Sequence, residues 1–326
     1  MIVPILLNGV FIMLKVGVVG VGGISGAHIP AWEELKEVEL VALCDIRQER
    51  LDQYPTKRHY NDFKEMLEKE ELDILDICLP TYLHADYAIM AMEKGINVIC
   101  EKPISLKEED IERVYSTAKK NNVKFMIAQV LRFWPEYELL KEIFDTQKYG
   151  KLLSGTMTRL GCYPKWSWDG WMMDEKRSGL TPFDLHIHDL DFMVYAFGAP
   201  KKVAHQFRSK RPDQDFISVT YDFGEFSINS EASWYATSYP FTAEFRFQFE
   251  DALVSNENGK MMIYLRDGKI DLSENAEGDT GDINLPKSDA YANEIKYFLD
   301  CVINDKDVEK VKDHELLTVL KILNSL

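Results

Sequence analysis

Asp184 and His188 stand four residues apart in SGLTPFDLHIHDLDFMVYAFGAP, residues 178–200. On a helix that spacing sets both on one face, about 40° apart around the axis. Asp191, three residues further, shares this side and is placed to orient the imidazole. A histidine of ordinary pKa, about 6.5, accepts a proton near neutrality, and a carboxylate beside it raises its basicity. The pair is therefore equipped to draw a proton from a hydroxyl. Two plainer readings stand beside this one. The segment can be a helix cap with surface histidines, or His186 and His188 can be metal ligands among flanking acids. Residues two apart on a helix point about 200° away from each other, so the metal reading needs a strand. No metal is assigned.

Oxidising a carbinol also requires a hydride acceptor, and GVVGVGGISGAHIPAW (17–32) has the composition to hold one. It follows the strand-like run LKVGVV and leads into a helical pattern. In that context Gly20-x-Gly22-Gly23-Ile24-Ser25 reads as G-x-G-x-x-S, a variant of the dinucleotide fingerprint. Gly20 permits the tight turn and Gly22 the close approach of a pyrophosphate. Ser25 is small enough for helix-on-strand packing, and the helix N-terminus supplies amides and partial positive charge. The run VELVALCD then ends in Asp45, placed to hydrogen-bond the adenosine ribose. An acid there repels a 2′-phosphate and favours NAD, while Arg47 keeps NADP admissible.

These groups need a scaffold. From Leu14 to Ala128, short apolar runs (LKVGVV, VELVALCD, LDILDICLP, INVICE, VKFMIA) alternate with amphipathic helical patterns. This predicts right-handed crossovers and a doubly wound parallel sheet. The helices include DFKEMLEKE, capped by Asn61 or Asp62, and LHADYAIMAMEKG, stopping at Gly95. A third, LKEEDIERVYSTAKKNN, follows Ser105, with acids first and lysines last. Ligands of such sheets lie at the carboxyl ends of strands. The cofactor-facing set is accordingly Gly20, Gly22, Gly23, Ile24, Asp45, Arg47, Leu79, Pro80, Thr81, His84, Glu101, Lys102 and Gln129. A lysine after a strand is usually a solvated charge, but Lys102 precedes Pro103, which restricts its backbone.

After about Gln129 the rhythm changes to a helix (PEYELLKEIFDTQ), a strand (LLSGTMTRLG), the active-site segment, and consecutive strands from KVAHQFRSK to MMIYLRDG. We expect residues 1–130 as one domain. Residues 131–326 form an α+β domain with an open, mostly antiparallel or mixed sheet. Closing helices fall near 290–304 and 313–324, returning to the first domain. YPKWSWDGWMM clusters Tyr163, Trp166, Trp168 and Trp171, either a stacking wall for a sugar or a core cluster. Arg132, where the domains join, either reaches a substrate or braces the hinge.

The glycine turn, PTxxHA and EKP, each after its own strand, together with the Asp184–His188 segment, resemble the glucose–fructose oxidoreductase / inositol dehydrogenase (Gfo/Idh/MocA) family from Leu14 to the C-terminal helices. That resemblance implies a Rossmann domain followed by an open sheet that often mediates oligomerisation, here a homodimer or homotetramer. It implies Lys102 as the catalytic lysine with Asp184 and His188 as partners. His188 then serves as base, Lys102 as polariser or relay (the two can exchange roles), and Asp184 as ligand of the substrate hydroxyl. Substrate contacts fall to Arg132, Tyr163, Trp168, Asp184 and His188, and the substrate is a secondary alcohol of a sugar, cyclitol or polyol. A non-catalytic NAD-binding regulator and an NAD-dependent glycosidase of the same fold are the alternatives. Members often carry several glycines before the aspartate. Here Gly179 is followed by Leu180-Thr181-Pro182, which predicts a stiffer entry loop.

Composition sets the outer limits. With 326 residues, 46% hydrophobic and 28% charged, the chain suits two medium domains. A net charge of −16 argues against nucleic acid and anionic membranes as partners. Five cysteines without metal-ligand spacing read as core residues in a reducing, cytoplasmic compartment. MIVPILLNGVFIML lacks the features of a leader, and residues 1–12 are read as a mis-started extension rather than a native strand.

Overall fold

The computed structural model describes residues 13–273 and 290–326, preceded by the backbone of a two-residue antiparallel ladder, Leu6–Leu7 with Val10–Phe11. The question of a mis-started extension lies mostly outside the described residues. The chain divides into two compact units. One comprises the described residues through Val130 with those of the segment ending at Asp313. The other runs from Leu131 through the second sheet and is completed by His314–Leu326.

The first unit is built on six parallel strands: β1 (Leu14–Val19), β2 (Val38–Cys44), β3 (Arg58–Tyr60), β4 (Ile74–Ile77), β5 (Asn97–Glu101) and β6 (Phe125–Ala128). Their order is β3-β2-β1-β4-β5-β6. This is the doubly wound order, whose reversal between β1 and β4 opens the crevice where dinucleotides bind. The near-continuous apolar runs are buried on both faces, as parallel strands must be. β3, the polar tripeptide RHY, carries no such pattern. The crossovers are α1 (Ser25–Glu33), α2 (Gln48–Leu51), α3 (Phe63–Lys69), α4 (His84–Met92) and α5 (Glu108–Asn121). Asp62 caps α3 by accepting from Glu65 N at 2.9 Å, while the Asn61 amide donates to the Asp45 carbonyl. α5 begins with three acids, ends with two lysines, and stops at left-handed Asn122.

The second unit begins with α6 (Pro135–Thr146) and carries an eight-stranded sheet: β7 (Leu152–Cys162), β8 (Lys202–Arg208), β9 (Phe216–Asp222), β10 (Ser227–Tyr235), β11 (Thr242–Phe249), β12 (Ala252–Glu257), β13 (Lys260–Leu265) and β14 (Gly268–Asp271). Its order is β8-β9-β10-β7-β11-β12-β13-β14, and among the described strands only β7 with β10 runs parallel. Along β7 one face (Gly155, Met157, Arg159) is buried and the other (Ser154, Thr156, Thr158) is half-buried. Strands β12 and β14 escape the sequence reading. A left-handed Asn258-Gly259 turn joins β12 to β13, and β14 is exposed at every residue. Helix α7 (Glu175–Ser178), a π turn over Pro182–His186 and α8 (Ile187–Phe197) lie between β7 and β8. Of the closing helices, α9 (Ala290–Ile303) belongs to the first unit, against α1, whereas nearly all of α10 (Asp313–Ser325) belongs to the second. The expectation that both helices return to the first domain is corrected for α10.

Two further expectations need correction. Cys162 is exposed, unlike the four buried cysteines. Arg132 is not available to a substrate: it is fully buried, with its Nε and Nη2 on Asp191 at 2.8 and 2.6 Å and its Nη1 on Glu315. The guanidinium also lies over the Tyr195 ring, 4.7 Å from its centroid. Arg132 therefore ties the start of the second unit to α8 and α10. Asp191 is spent on this pair rather than on orienting His188.

A buried carboxylate left without its cation costs several kcal/mol, whereas an apolar pair of similar size does not. Arg132→Met is expected to lower unfolding free energy by about 3–5 kcal/mol, measured by urea denaturation. Adding Asp191→Leu should recover most of that loss.

Candidate functional site

The glycine turn is shaped by two opposite requirements. Gly20 has φ +91°, and a Cβ there would lie 2.5 Å from the Cys78 carbonyl oxygen, so the close pass of β1 by the end of β4 excludes every side chain. At Gly22 an added Cβ would meet nothing within 4 Å, so the backbone there faces open space. The Ser25 hydroxyl donates to the Gly22 carbonyl at 2.8 Å and braces the turn from within. Gly23 is exposed and Ile24, the N-cap of α1, is half-buried and provides no side-chain cap. This leaves the helix start suited to an anion. Asp45 reaches back into the turn, accepting from Val21 N at 2.8 Å, and also accepts from Arg47 N, Nε and Nη2 at 2.9, 3.0 and 3.1 Å. The acid thus holds the turn in shape, and Arg47 offsets its charge. These residues fit a nicotinamide dinucleotide.

The neighbouring strand ends are fixed by backbone contacts. Pro80 opens a 3-10 turn, Thr81–Leu83, with Thr81 buried and Leu79 and Pro80 half-buried. His84 is buried, with Nδ1 2.7 Å from the Pro103 carbonyl and Nε2 2.6 Å from the Leu79 carbonyl. Burial lowers its pKa more than these two acceptors raise it. Expected as a cofactor ligand, His84 instead joins the loops after β4 and β5, because both ring nitrogens are used on main chain. Glu101 is buried and accepts from Lys102 N at 3.1 Å, and the Lys102–Pro103 peptide is cis. Gln129 is buried just beyond β6.

In the second unit, the segment Leu180–Val194 is buried throughout except at Asp184 and His188, which are half-buried. The two do not share a regular α-helix: Asp184 lies in the π turn and His188 in the first turn of α8. Their neighbours are committed elsewhere. His186 is buried, its Nε2 2.6 Å from the Tyr221 hydroxyl and its ring stacked on Tyr221. Burial, aided by the Arg159 guanidinium, pushes its pKa down to about 3. Asp189 pairs with Arg159 at 2.7 Å. The entry loop is held hard. Gly179 and Leu180 are both left-handed, and Asp215 accepts from Thr181 N and Lys210 N at 3.0 and 2.9 Å. The Thr181 hydroxyl returns a bond to the Asp215 carbonyl. Leu180 thus adopts a backbone that favours glycine, and its burial offsets the strain.

The aromatic stretch is not core. Trp166 and Trp168 are 54% and 41% exposed. Tyr163 is half-buried, donates its N–H to the Tyr235 carbonyl, and lies beneath the Lys165 ammonium.

Sheet order, glycine turn and terminal acid define a dinucleotide-binding α/β protein. Residues 14–129 match the family described as "Oxidoreductase family, NAD-binding Rossmann fold", and residues 137–253 match the "GFO/IDH/MocA C-terminal domain". The chain belongs to the Gfo/Idh/MocA oxidoreductase family. It is 27% identical over 194 residues to D-apiose dehydrogenase of Paraburkholderia graminis, covering 58% of this chain and 51% of the relative. It is 32% identical over 147 residues to inositol 2-dehydrogenase of Salmonella typhimurium, covering 43% and 44%. The chain spans about half the length of the curated relatives it matches. The crystal structure of myo-inositol 2-dehydrogenase from Lactobacillus plantarum shares the fold, with a TM-score of 0.79, 20% identity and 96% of each chain covered.

The two glycines predict different failures. Gly20→Ala should cost at least about 2 kcal/mol of stability, from strain and collision combined. Gly22→Ala should melt like the wild type and weaken NAD binding, read by thermal denaturation and calorimetry. His186 sets an acid limb. Its folded pKa is about 3 and its unfolded value about 6.5, so between them only the unfolded chain takes up the proton. Stability is lost as pH falls below about 6.5, by up to about 1.4 kcal/mol per unit. His186→Asn should flatten that limb in urea midpoints measured from pH 7 to 4.

Proposed function

We propose that this protein is an NAD(H)-dependent dehydrogenase acting on a secondary alcohol of a sugar, cyclitol or related polyol. The observation that carries this reading is the surfacing of Asp184 and His188 alone from an otherwise buried run, in a chain whose glycine turn is open at Gly22. The names of the apiose and inositol dehydrogenases support the substrate class.

The turn Gly20–Ile24 and Asp45 hold the dinucleotide, with Leu79, Pro80, Thr81, Glu101, Lys102 and Gln129 along its crevice. When bound, NAD supplies the hydride acceptor. His188 takes the proton of the substrate hydroxyl, and Asp184 accepts a hydrogen bond from the substrate and keeps the imidazole basic. The Lys102 ammonium stabilises the oxygen as it becomes a carbonyl. Trp168 and Tyr163 present ring faces on which the apolar side of a sugar stacks. NAD is the preferred cofactor because Asp45 stands at the 2′ position, although Arg47 lessens the repulsion. The half-buried face of the second sheet serves a homodimer or homotetramer. A cytoplasmic setting fits the five free thiols.

A panel of sugars, inositols and other polyols, followed by NADH absorbance with NADP in parallel, tests the reading. At least one polyol should reduce NAD. Lys102→Met and His188→Asn should each lower turnover by about 10²–10⁴-fold, with melting temperature retained. Near-normal turnover in both variants, or a panel without any reduction, contradicts it.

A further inference from the structure

The first unit buries a charged trio to which the reaction above gives no part. His28 lies on α1, one turn after the glycine bend, with no exposed surface. Its Nδ1 is 2.9 Å from Asp76 Oδ2, and its Nε2 is 3.1 Å from Glu101 Oε1. Asp76 comes from β4 and is wholly buried, and Glu101 ends β5. Each ring nitrogen faces a carboxylate oxygen, an arrangement satisfied by an imidazolium with a proton on both nitrogens. The other polar groups facing it are few. Trp32 Nε1, on the same helix, donates to Asp76 at 2.7 Å, and the Cys78 thiol lies 3.5 Å from Asp76 Oδ1. The Tyr291 ring from α9 is 5.7 Å away. Burial by itself would discharge the ring, but Asp76 above all holds its pKa well over the ordinary value.

Charges buried this deeply in a sheet are costly, and an apolar trio of equal volume would pack without that cost. What the arrangement reaches is the functional strand end. Glu101 receives the imidazolium on Oε1 and the Lys102 backbone N–H on Oε2. We infer that His28, kept cationic by Asp76 and braced by Trp32, is a positioning residue that locks the Glu101 carboxylate in its ionised form and thereby fixes the peptide that presents Lys102. The inference rests on the reading of Lys102 as part of the reacting set. A protonated Glu101 would face an N–H donor with its own O–H and release one of its two partners. The donor atoms of His28, Asp76 and Cys78 also lie within 4.8 Å of one another. Protons between ring and carboxylates already join them, which is a network satisfied without an ion.

The test uses the full chain with His28→Gln and Asp76→Asn, the latter keeping the shape and removing the charge that holds the ring protonated. Selective histidine ¹⁵N labelling of the wild type should show one ring that keeps both nitrogens protonated well above the pH at which an exposed histidine loses its proton, a signature lost in Asp76→Asn. Lysine ¹⁵N labelling should show the Lys102 amide constant from pH 8 to 5 in the wild type. In both variants that amide should instead shift within this range, because Glu101 has lost the cation that opposes its protonation. Turnover in the variants should acquire an acid limb over the same range, with kcat lowered about tenfold and KM within about twofold. A neutral His28, a Lys102 amide that ignores both substitutions, or a superimposable pH profile with only a lower melting temperature would overturn the proposal. So would one equivalent of zinc in the purified protein. The amide titration needs no turnover, so a failure of the dehydrogenase reading appears in the polyol panel and a failure of this inference in the spectra.

Discussion

The first unit depends on how closely two backbones pass at Gly20. With the Cys78 carbonyl only 2.5 Å from where a Cβ would stand, β1 must turn left-handed into α1. The consequences run outward from there. The next residues cross open space at Gly22, the Ser25 hydroxyl closes the loop, and the first amides of α1 remain without a side-chain cap. Asp45 holds Val21 from the adjacent strand. The acid that marks the cofactor preference is therefore part of the turn itself. The same helix carries His28 to Glu101 at the end of β5, so one element joins the glycine turn to the strand end that precedes Lys102.

Among the described residues, both units bury ion pairs. Arg132 joins Asp191 and Glu315, Arg159 joins Asp189, and His28 joins Asp76 and Glu101. Such pairs add little net stability, but removing one member is severe, so they specify one arrangement of elements over others. In the second unit they absorb the polar groups around the α8 segment. Asp189, Asp191 and His186 face inward to Arg159, Arg132 and Tyr221, and within Leu180–Val194 Asp184 and His188 keep partial exposure. The left-handed Leu180 and the Asp215 clasp hold that segment in place.

Much of this was legible in the sequence, for identifiable reasons. Strands buried on both faces write themselves as apolar runs, and a glycine forced left-handed beside a strand writes itself as a fingerprint. β3 is hidden because RHY has no apolar run, and β12 because only the two residues Asn258-Gly259 separate it from β13. The inward or outward direction of charged side chains was not legible at all. Asp189, Asp191 and His188 look alike in DLHIHDLD, and their fates are decided by Arg159 and Arg132, which lie 30 and 59 residues away. His28, Asp76 and Glu101, separated by 48 and 73 residues from the histidine, offered no local spacing to notice. His84 stands at a strand end that lines the crevice, but its two ring nitrogens meet the Pro103 and Leu79 carbonyls, which its sequence position does not reveal.

In the proposed reaction a carbinol hydrogen passes directly to the nicotinamide. Incubating the protein with NAD and a mixture of carbon-deuterated sugars and inositols, then weighing the NADH formed, tests it most directly. NADH carrying one deuterium is the expected product. Protein that binds NAD yet yields NADH with hydrogen drawn only from solvent, or yields none, would contradict it.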